Sequence, residues 1–486
     1  MSAKSIKINA ALNMIKTAAG MIFPLITFPY TSRILGPEGV GKVNFANSFL
    51  AYFILLASIG IPVYGIRAVA KVRENIDELA LLVKELIVLH LIASGVAFLA
   101  FLGVILVSDT VSAEAWLFFV VSFSIPLSMF TLDWFYQGME DYAYITKRSI
   151  GFSVLAIGAM FMLVKKPQDY VLYAGITVVA SLGSSVLNFW NARKVVFRKS
   201  IRSLNLKQHI RPLGSVFALN FIISIYINLD TVMLGFLSKT DSVGYYSSAM
   251  KLTKMLLSLV SSFSAVLLPR LSYYAANDQL EKFDEMLRKS LGVILLMCIP
   301  ASAGLMLVGR EIILVLAGDL YLEAVSCVII TAPIILIIGL NGVFGYQILY
   351  SLGREKAFLF SVAVGAILNV AINFALIPRF NHIGASIGAL VAEAAILFIQ
   401  IFLVRTRHHV KWPWVSLLKY VGATAVMALA LIVFKSNTEY LLVGMKLSAC
   451  VLIGASVYFG LLYFMHDEFV VDSIRKLQGW VKREKV

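Results

Sequence analysis

The chain has 486 residues and a formal net charge of +15; 60% of its residues are hydrophobic and 14% are charged. With a mean hydropathy of +0.86, it has too little polar material to cover a water-soluble fold, so its solvent is largely lipid. This composition excludes a soluble globular domain and predicts a membrane protein.

About fourteen apolar stretches follow one another along the chain, and each is long enough for a membrane-crossing helix, which needs roughly 20 residues. No segment between them is long enough for a separate soluble domain. We therefore predict an all-α polytopic membrane protein with about 14 transmembrane helices. The stretches begin near Asn9, Lys42, Leu82, Glu114, Lys147, Asp169, Pro212, Tyr245, Ser290, Leu322, Ala357, Ile383, Trp414 and Leu441.

The basic residues are unevenly divided between the two sides of the membrane that this topology defines. With the N-terminus inside, about 30 Lys and Arg fall on the N-terminal side and about 9 on the other, which is the positive-inside asymmetry. An even number of spans returns the basic C-terminal tail to the N-terminal side. We therefore predict that both termini are cytoplasmic, that these charges set topology and contact anionic lipids, and that no nucleic acid is bound.

Corresponding features recur in two halves of the chain. Val40-Gly41 follows the first span, and Val243-Gly244 follows the seventh. The common order and spacing of several such matches indicate an internal repeat, although similar helices recur in any membrane bundle. Six spans separate each feature from its partner, so both halves run in the same direction, as in a parallel pseudo-two-fold repeat about an axis along the membrane normal.

The repeat predicts two six-helix lobes and two additional C-terminal helices. Residues 1–200 form the N-terminal lobe with spans one to six, and residues 201–410 form the C-terminal lobe with spans seven to twelve. Residues 411–486 contain the last two spans and a basic cytoplasmic tail.

Two equivalent spans carry polar stripes at helical spacing. Steps of three or four residues place the stripe members on one helix face, so we expect both stripes to line the space between the lobes. Ordinary packing of small residues with hydrogen bonds between helices is the alternative. In span one the stripe is Asn9, Asn13, Lys16, Gly20, Pro24, Thr27 and Thr31; in span seven it is Asn220, Ser224, Asn228, Thr231 and Gly235.

Basic side chains within or beside the spans point to an anionic cargo. Lys251 and Lys254 share one face of span eight, about 9–14 Å inside it at 1.5 Å per residue. They and Lys16 could instead snorkel toward the membrane surface. Arg33 and Arg67 stand at helix ends, where they could serve as anchors, although arginine is the side chain best shaped for bidentate phosphate contact.

Three carboxylates in the apolar stretches, Asp133, Asp230 and Glu393, are candidates for coupling to an ion gradient. A buried carboxylate in a carrier can take up a proton or a cation. An internal salt bridge is the alternative role, and Asp230 could pair in this way with Lys251 or Lys254.

The chain shows no Walker A, HExxH or GxSxG sequence. The segment Gly36-Pro-Glu-Gly-Val-Gly is glycine-rich, but it lies between two spans and follows no strand, so we expect a loop and not a nucleotide site. We expect no enzymatic activity, no cofactor and no metal site.

Three segments carry a family resemblance. They are Arg33-Ile-Leu-Gly-Pro-Glu-Gly-Val-Gly after the first helix, Asp133-Trp-Phe-Tyr-Gln-Gly-Met-Glu after the fourth, and Leu229-Asp230…Leu234-Gly235…Val243-Gly244-Tyr-Tyr-Ser around the seventh and eighth. With the span count, they resemble the Wzx-type O-antigen and capsule repeat-unit flippases of the multidrug/oligosaccharidyl-lipid/polysaccharide (MOP) exporter superfamily. The resemblance covers nearly the whole chain.

This resemblance implies a flippase of the bacterial plasma membrane. Its cargo would be undecaprenyl-pyrophosphate-linked oligosaccharide repeat units, moved from the cytoplasmic to the outer leaflet by alternating access coupled to an ion gradient. Besides cargo and membrane lipids, we expect a polysaccharide polymerase and chain-length proteins as partners of a monomer. The substrate-binding candidates are Lys16, Arg33, Arg67, Lys251 and Lys254 for pyrophosphate or acidic sugar, and Asn13, Asn220 and Asn228 for the glycan.

Three other functions stay open at this point. A drug or cation antiporter of the same superfamily predicts an acidic cavity. A membrane glycan polymerase or ligase predicts paired catalytic groups in an outer loop. A lipid II flippase predicts a role in peptidoglycan synthesis instead of surface polysaccharide synthesis.

Overall fold

The computed structural model describes residues 6–196, 204–406, 410–472 and 475. Every regular element within these ranges is helical, which confirms the predicted all-α class. The chain divides into two compact units, Met1–Gly244 and Tyr245–Val486.

Within its described residues, the first unit contains ten α-helices and two short 3-10 turns, Ser128–Phe130 and Pro167–Asp169. The helices are α1 (Ile6–Ser58), α2 (Ile61–Val72), α3 (Ile76–Val107), α4 (Asp109–Ser112), α5 (Ala115–Ser122), α6 (Ser124–Leu127), α7 (Asp133–Gly138), α8 (Tyr142–Leu163), α9 (Tyr170–Val196) and α10 (Lys207–Leu237).

Helix α11 begins at the end of the first unit and runs into the second. The described part of the second unit contains six further α-helices, a 3-10 turn at Asp319–Tyr321 and a π-helix at Gly342–Tyr350. The α-helices are α11 (Thr240–Ala276), α12 (Leu280–Leu316), α13 (Ala324–Thr331), α14 (Ile334–Asn341), α15 (Glu355–Arg405), α16 (Trp414–Ser436) and α17 (Val443–Phe464).

Several of these helices are long enough to cross a membrane more than once. In the described part of the chain, ten segments have the length and hydropathy of a span, or eleven if the bent helix α10 counts as one. Helix α15 has 51 residues, about 75 Å at 1.5 Å per residue, against a hydrocarbon core of about 30 Å. It is broken at Asn381, and α1 is broken at Gly36. With both halves of these two helices and α11 counted, the architecture agrees with the predicted number of about fourteen.

The break in α1 is a single residue, where the sequence predicts a glycine-rich loop. Gly36 has φ 67° and ψ 178°, a backbone conformation that glycine adopts without the steric cost other residues meet. Pro37 follows as the first residue of the next helical segment, where its fixed φ suits the helix and its missing N–H costs nothing. The Gly36-Pro37 pair therefore turns the chain without a loop.

The first unit has an apolar core built where α2, α3 and α7 meet. Trp134, Phe135 and Tyr136 of α7 pack there with Leu86 of α3, and Leu213 of α10 belongs to the same cluster. All five side chains are at most 5% exposed. The beginning of α10 is thus part of the packed interior of this unit.

In the second unit, α16 and α17 pack on each other and on α12. Tyr420 and Tyr458 are buried in this contact, and the Tyr458 hydroxyl donates to the Leu296 carbonyl oxygen of α12 at 2.8 Å. Lys435 of α16 pairs with the buried Glu311 of α12 at 3.0 Å. The two additional C-terminal helices are therefore attached by both apolar and charged contacts.

Candidate functional site

The predicted site residues of the first two spans lie on α1 and α2. Asn13 and Lys16 are in the first half of α1, but their side chains lie outside what the structure describes. Arg33 is exposed just before the break at Gly36, and Arg67 is exposed on α2.

Three predicted residues lie along α10, and all are half-buried. Asn220 falls within a 53° bend that separates Lys207–Ala218 from Ile223–Leu237. Asn228 Nδ2 donates to the Ser224 carbonyl oxygen within the helix at 3.0 Å, and Asp230 follows half a turn later. Helix α10 packs along α1, with Gly235 against Phe45 and the Ile225 carbonyl oxygen near the Tyr52 hydroxyl. These contacts come from the half of α1 after its break, whereas the predicted stripe of α1 lies before it.

The two lysines of the eighth span lie on α11. Lys251 is half-buried and Lys254 is exposed. Their spacing of three residues within one continuous helix places them on neighbouring positions of one face, as the sequence predicts.

Asp133 lies in a buried ion pair that the sequence does not reveal. Its Oδ1 accepts from Arg148 Nη2 of α8 at 2.8 Å and from Asn188 Nδ2 of α9 at 2.9 Å. The Arg148 side chain is only 7% exposed, and its guanidinium also lies 5.9 Å from the Tyr144 ring centroid. Asp133 thus joins the start of α7 to the two following helices.

Some polar atoms of this cluster make no hydrogen bond to any described residue. Arg148 Nε and Nη1 and Asn188 Oδ1 are buried and have no hydrogen-bond partner within the described ranges. The sequence gives no sign of Arg148 as a functional residue, because the Lys147-Arg148 pair near the start of an apolar stretch reads as a membrane-surface anchor.

Glu393, in the second half of α15, has an amide partner. Asn341 Nδ2 donates to its Oε2 at 2.8 Å, and both residues are 9% exposed. Asn341 Oδ1 and both amide atoms of Gln347 are buried without a hydrogen-bond partner in the described part of the unit. Gln347 belongs to the π-helix that begins directly after Asn341, and such helices are frequent at functional sites. Carboxylate and amide oxygens suit a proton or a small hard cation.

A buried pair that the sequence pattern does not reveal joins Glu85 of α3 and His209 of α10, with Oε2 and Nε2 2.8 Å apart. Glu85 stands inside an apolar stretch, which is a usable signal. Its partner is 124 positions away, and nothing in the local pattern connects the two.

Comparison with known proteins gives two family matches. The model described as "Polysaccharide biosynthesis protein" matches residues 6–275, and the model described as "Lipid II flippase MurJ" matches residues 141–452. A putative O-antigen transporter of Escherichia coli is 23% identical over 407 residues, which are 82% of this chain and 97% of that protein. A probable low-salt glycan biosynthesis flippase of Haloferax volcanii is 22% identical over 66% of each chain.

Solved structures share the fold. A lipid II flippase MurJ in an inward closed conformation aligns with a TM-score of 0.68 and 16% identity, covering 95% of this chain and 99% of that one. A multidrug resistance MATE family transporter of the MOP superfamily, in an inward-facing conformation, aligns with a TM-score of 0.61 and 13% identity, covering 81% and 97%. These comparisons confirm the resemblance found in the sequence motifs. The model described as "Polysaccharide biosynthesis protein" covers more than half of the chain, so the protein belongs to the polysaccharide biosynthesis protein family.

Proposed function

We propose that this protein is a flippase that moves lipid-linked oligosaccharides across a membrane, from the cytoplasmic to the outer leaflet, by alternating access. The observation that carries the proposal is the match to the polysaccharide biosynthesis protein family, combined with alignment over 97% of the length of a putative O-antigen transporter. The bundle of long apolar helices fits this function, since a flippase must shield a polar head group while its lipid tail stays in the bilayer.

The cargo path of this proposal uses basic and amide side chains. Lys16, Arg33, Arg67, Lys251 and Lys254 bind the diphosphate or an acidic sugar, because guanidinium and ammonium groups are the donors best suited to phosphate oxygens. Asn13, Asn220 and Asn228 hydrogen-bond the glycan. The half-buried position of Lys251 supports this assignment, since a charge held inside a bundle usually faces polar contents.

The driving force in this proposal is an ion gradient acting on a buried carboxylate. Glu393 is the first candidate, because it is 9% exposed, accepts from the Asn341 amide and lies beside the buried amide of Gln347. Asp133 already has a guanidinium partner, and a proton or cation would have to compete with it. Asp230 is the third candidate and lies on the helix that carries Asn228.

The cellular setting of the proposal follows the family resemblance, and the orientation of the termini follows the charge distribution. The protein lies in the bacterial plasma membrane with both termini in the cytoplasm. It acts without catalysis, as a monomer, next to the polymerase and chain-length proteins that consume its product.

Complementation tests the cargo assignment. In a strain that lacks its repeat-unit flippase, the wild-type gene restores surface glycan, and the double variant Lys251→Ala, Lys254→Ala restores at most a tenth of it. The control is Lys239→Ala, which removes an exposed lysine just before the same helix and keeps wild-type export. Full export by the double variant at equal membrane abundance contradicts the assignment.

A lipid II flippase is the second candidate, because the MurJ model matches residues 141–452. The two functions share a diphosphate-linked lipid and differ in the sugar. Rescue of a strain depleted of its lipid II flippase, without restored surface polysaccharide, would favour this second function. Drug resistance that depends on efflux would favour an antiporter of the MATE kind instead.

A further inference from the structure

Glu85, His209 and Tyr64 form a buried chain of hydrogen bonds that joins three helices of the first unit. His209 Nε2 lies 2.8 Å from Glu85 Oε2, and His209 Nδ1 lies 2.8 Å from the Tyr64 hydroxyl. Because a carboxylate only accepts, Nε2 carries the hydrogen in the bond to Glu85. Glu85 and His209 are 1% and 4% exposed, so water does not compete for these bonds.

The Glu85 carboxylate receives two more hydrogen bonds from the same short segment. The backbone N–H of Asn205 donates to its Oε1 at 2.7 Å, and Gln208 Nε2 donates to its Oε2 at 3.0 Å. All three donors to Glu85 therefore come from residues 205–209, immediately before and within the first turn of α10. This carboxylate, on α3, holds the start of another helix in place.

Apolar contacts continue the same attachment along α10. Leu213 is 1% exposed within the core of α2, α3 and α7. A Cβ added to Gly60 would lie 3.0 Å from the backbone nitrogen of Phe217, so the chain before α2 and the backbone of α10 pass very close together. The attachment covers the helix from its start to the bend.

The bend divides α10 into two parts with different partners. The segment Lys207–Ala218 carries the contacts to α2 and α3, and the axis changes direction by 53° before Ile223–Leu237 begins. In the second part, the Tyr52 hydroxyl of α1 donates to the Ile225 carbonyl oxygen at 3.4 Å. One helix thus has a first half attached to α2 and α3 and a second half attached to α1.

We propose that residues 205–218 are a gate segment, that Glu85, His209 and Tyr64 are the latch that holds it shut, and that the segment swings about the bend when the latch opens. This rests on the proposed alternating-access function: the latch lies at the start of α10, on the side of the membrane that the positive-inside asymmetry makes cytoplasmic and where the cargo enters.

Hydrogen bonds suit a latch that must open and close. Each of them is exchanged for a bond to water on opening, so their own contribution to the free-energy difference between the two states stays small. Two states separated by a small free energy can be shifted by a ligand that binds one of them better. An attachment made only of apolar side chains would lack these exchangeable bonds.

Distance measurement between spin labels tests the latch without any cargo. The three buried free cysteines, Cys298, Cys327 and Cys450, are first replaced, and labels are placed at Lys71→Cys and Lys207→Cys, two exposed positions near the latch. We expect one short distance population in the parent. Glu85→Gln and Tyr64→Phe should each increase the population at longer distances at least threefold.

Tyr64→Phe is the decisive variant, because it removes one hydroxyl and keeps the ring that packs beside His209. The control is Glu140→Gln, which breaks the exposed pair with Arg73 on the same side of the bundle and should leave the distances unchanged. Identical distance distributions in the parent and both latch variants would overturn the latch. A failure of glycan complementation would contradict the proposed function and leave this distance result as it stands.

Discussion

Gly41 and Gly244 make reciprocal contacts with each other's segments. A Cβ on Gly41 would overlap the Thr240 carbonyl oxygen, and a Cβ on Gly244 would overlap the Pro37 carbonyl oxygen. Pro37 stands four residues before Gly41, and Thr240 stands four residues before Gly244. Each glycine therefore meets the equivalent carbonyl oxygen of the other segment. These reciprocal contacts fall on the residues that the sequence repeat matches.

We expect Gly41→Ala and Gly244→Ala each to destabilise the protein. The new methyl group meets backbone and not a movable side chain, so the segments must separate, at a cost of about 1–3 kcal/mol for overpacking. The measurement is the midpoint of thermal unfolding in detergent, and unfolding is monitored as the loss of the monodisperse peak. The matched control is Gly95→Ala in α3, where an added Cβ meets nothing within 4 Å. If Gly41→Ala is as stable as that control, the close approach is absent.

The buried pair of Asp133 and Arg148 predicts an asymmetry between single and double variants. Arg148→Met removes the guanidinium that donates to the half-buried Asp133 carboxylate, and Asp133→Asn removes the anion that the buried Arg148 guanidinium faces. Removing one partner of a buried pair costs about 3–5 kcal/mol, whereas replacing both is often close to neutral. We therefore expect each single variant to unfold at a lower temperature than Asp133→Leu combined with Arg148→Met.

The exposed pair of Arg73 and Glu140 gives the comparison for this experiment. Its side chains are 37% and 41% exposed, so water screens the charges and Glu140→Gln should change stability little. Equal effects of Glu140→Gln and Arg148→Met would show that the Asp133 cluster does not carry the stability we assign to it.

Glu393→Gln separates a role of the charge from a role of the hydrogen bond. The amide oxygen of Gln can still accept from Asn341, as Glu393 Oε2 does at 2.8 Å, so the variant should fold and reach the membrane at the parental level. If Glu393 couples transport to an ion gradient, export of surface glycan falls at least tenfold and no longer responds to collapse of the proton or sodium gradient. Export that stays at the parental level and remains sensitive to the gradient would assign coupling to another carboxylate.

The helical architecture could be predicted from the sequence because membrane spans are local. Runs of apolar residues define the helices, and pairs such as Gly36-Pro37 mark where one ends and the next begins. The family resemblance, confirmed by the comparisons, also depends on short local segments around Arg33 and Asp133. These features need no knowledge of which helices touch.

The clusters could not be predicted because they join residues that are far apart in the chain. Glu85 is separated from His209 by 124 positions, and Asp133 from Asn188 by 55. A charged residue in an apolar stretch signals that a partner exists, but the identity of that partner depends on helix packing. The polar stripe of α1 is a further example, because the spacing of its residues does not show what their side chains contact. The Thr31 hydroxyl donates to the Thr27 carbonyl oxygen within its own helix at 3.0 Å, and both residues are buried.

The attachment of α16 to α12 predicts unequal effects for its two charged partners. The Glu311 side chain is 5% exposed and the Lys435 side chain 25%, and Lys435 Nζ also donates to the Leu307 carbonyl oxygen at 2.5 Å. Lys435→Met leaves Glu311 buried without a counter-charge, at a cost of about 3–5 kcal/mol. Glu311→Gln leaves a lysine that can still reach solvent and the Leu307 carbonyl, so its effect should be smaller.

The thermal unfolding midpoint in detergent and limited proteolysis between α15 and α16 measure this difference together. We expect Lys435→Met to unfold at a clearly lower temperature than Glu311→Gln and to be cleaved faster. Loss of the Lys435 ammonium group removes a charged contact that holds the two C-terminal helices on α12. The double variant Glu311→Leu, Lys435→Met should recover most of the parental midpoint, since apolar side chains replace both charges at once. Equal midpoints for the two single variants would mean that Glu311 is hydrated and that apolar contacts alone hold α16 on α12.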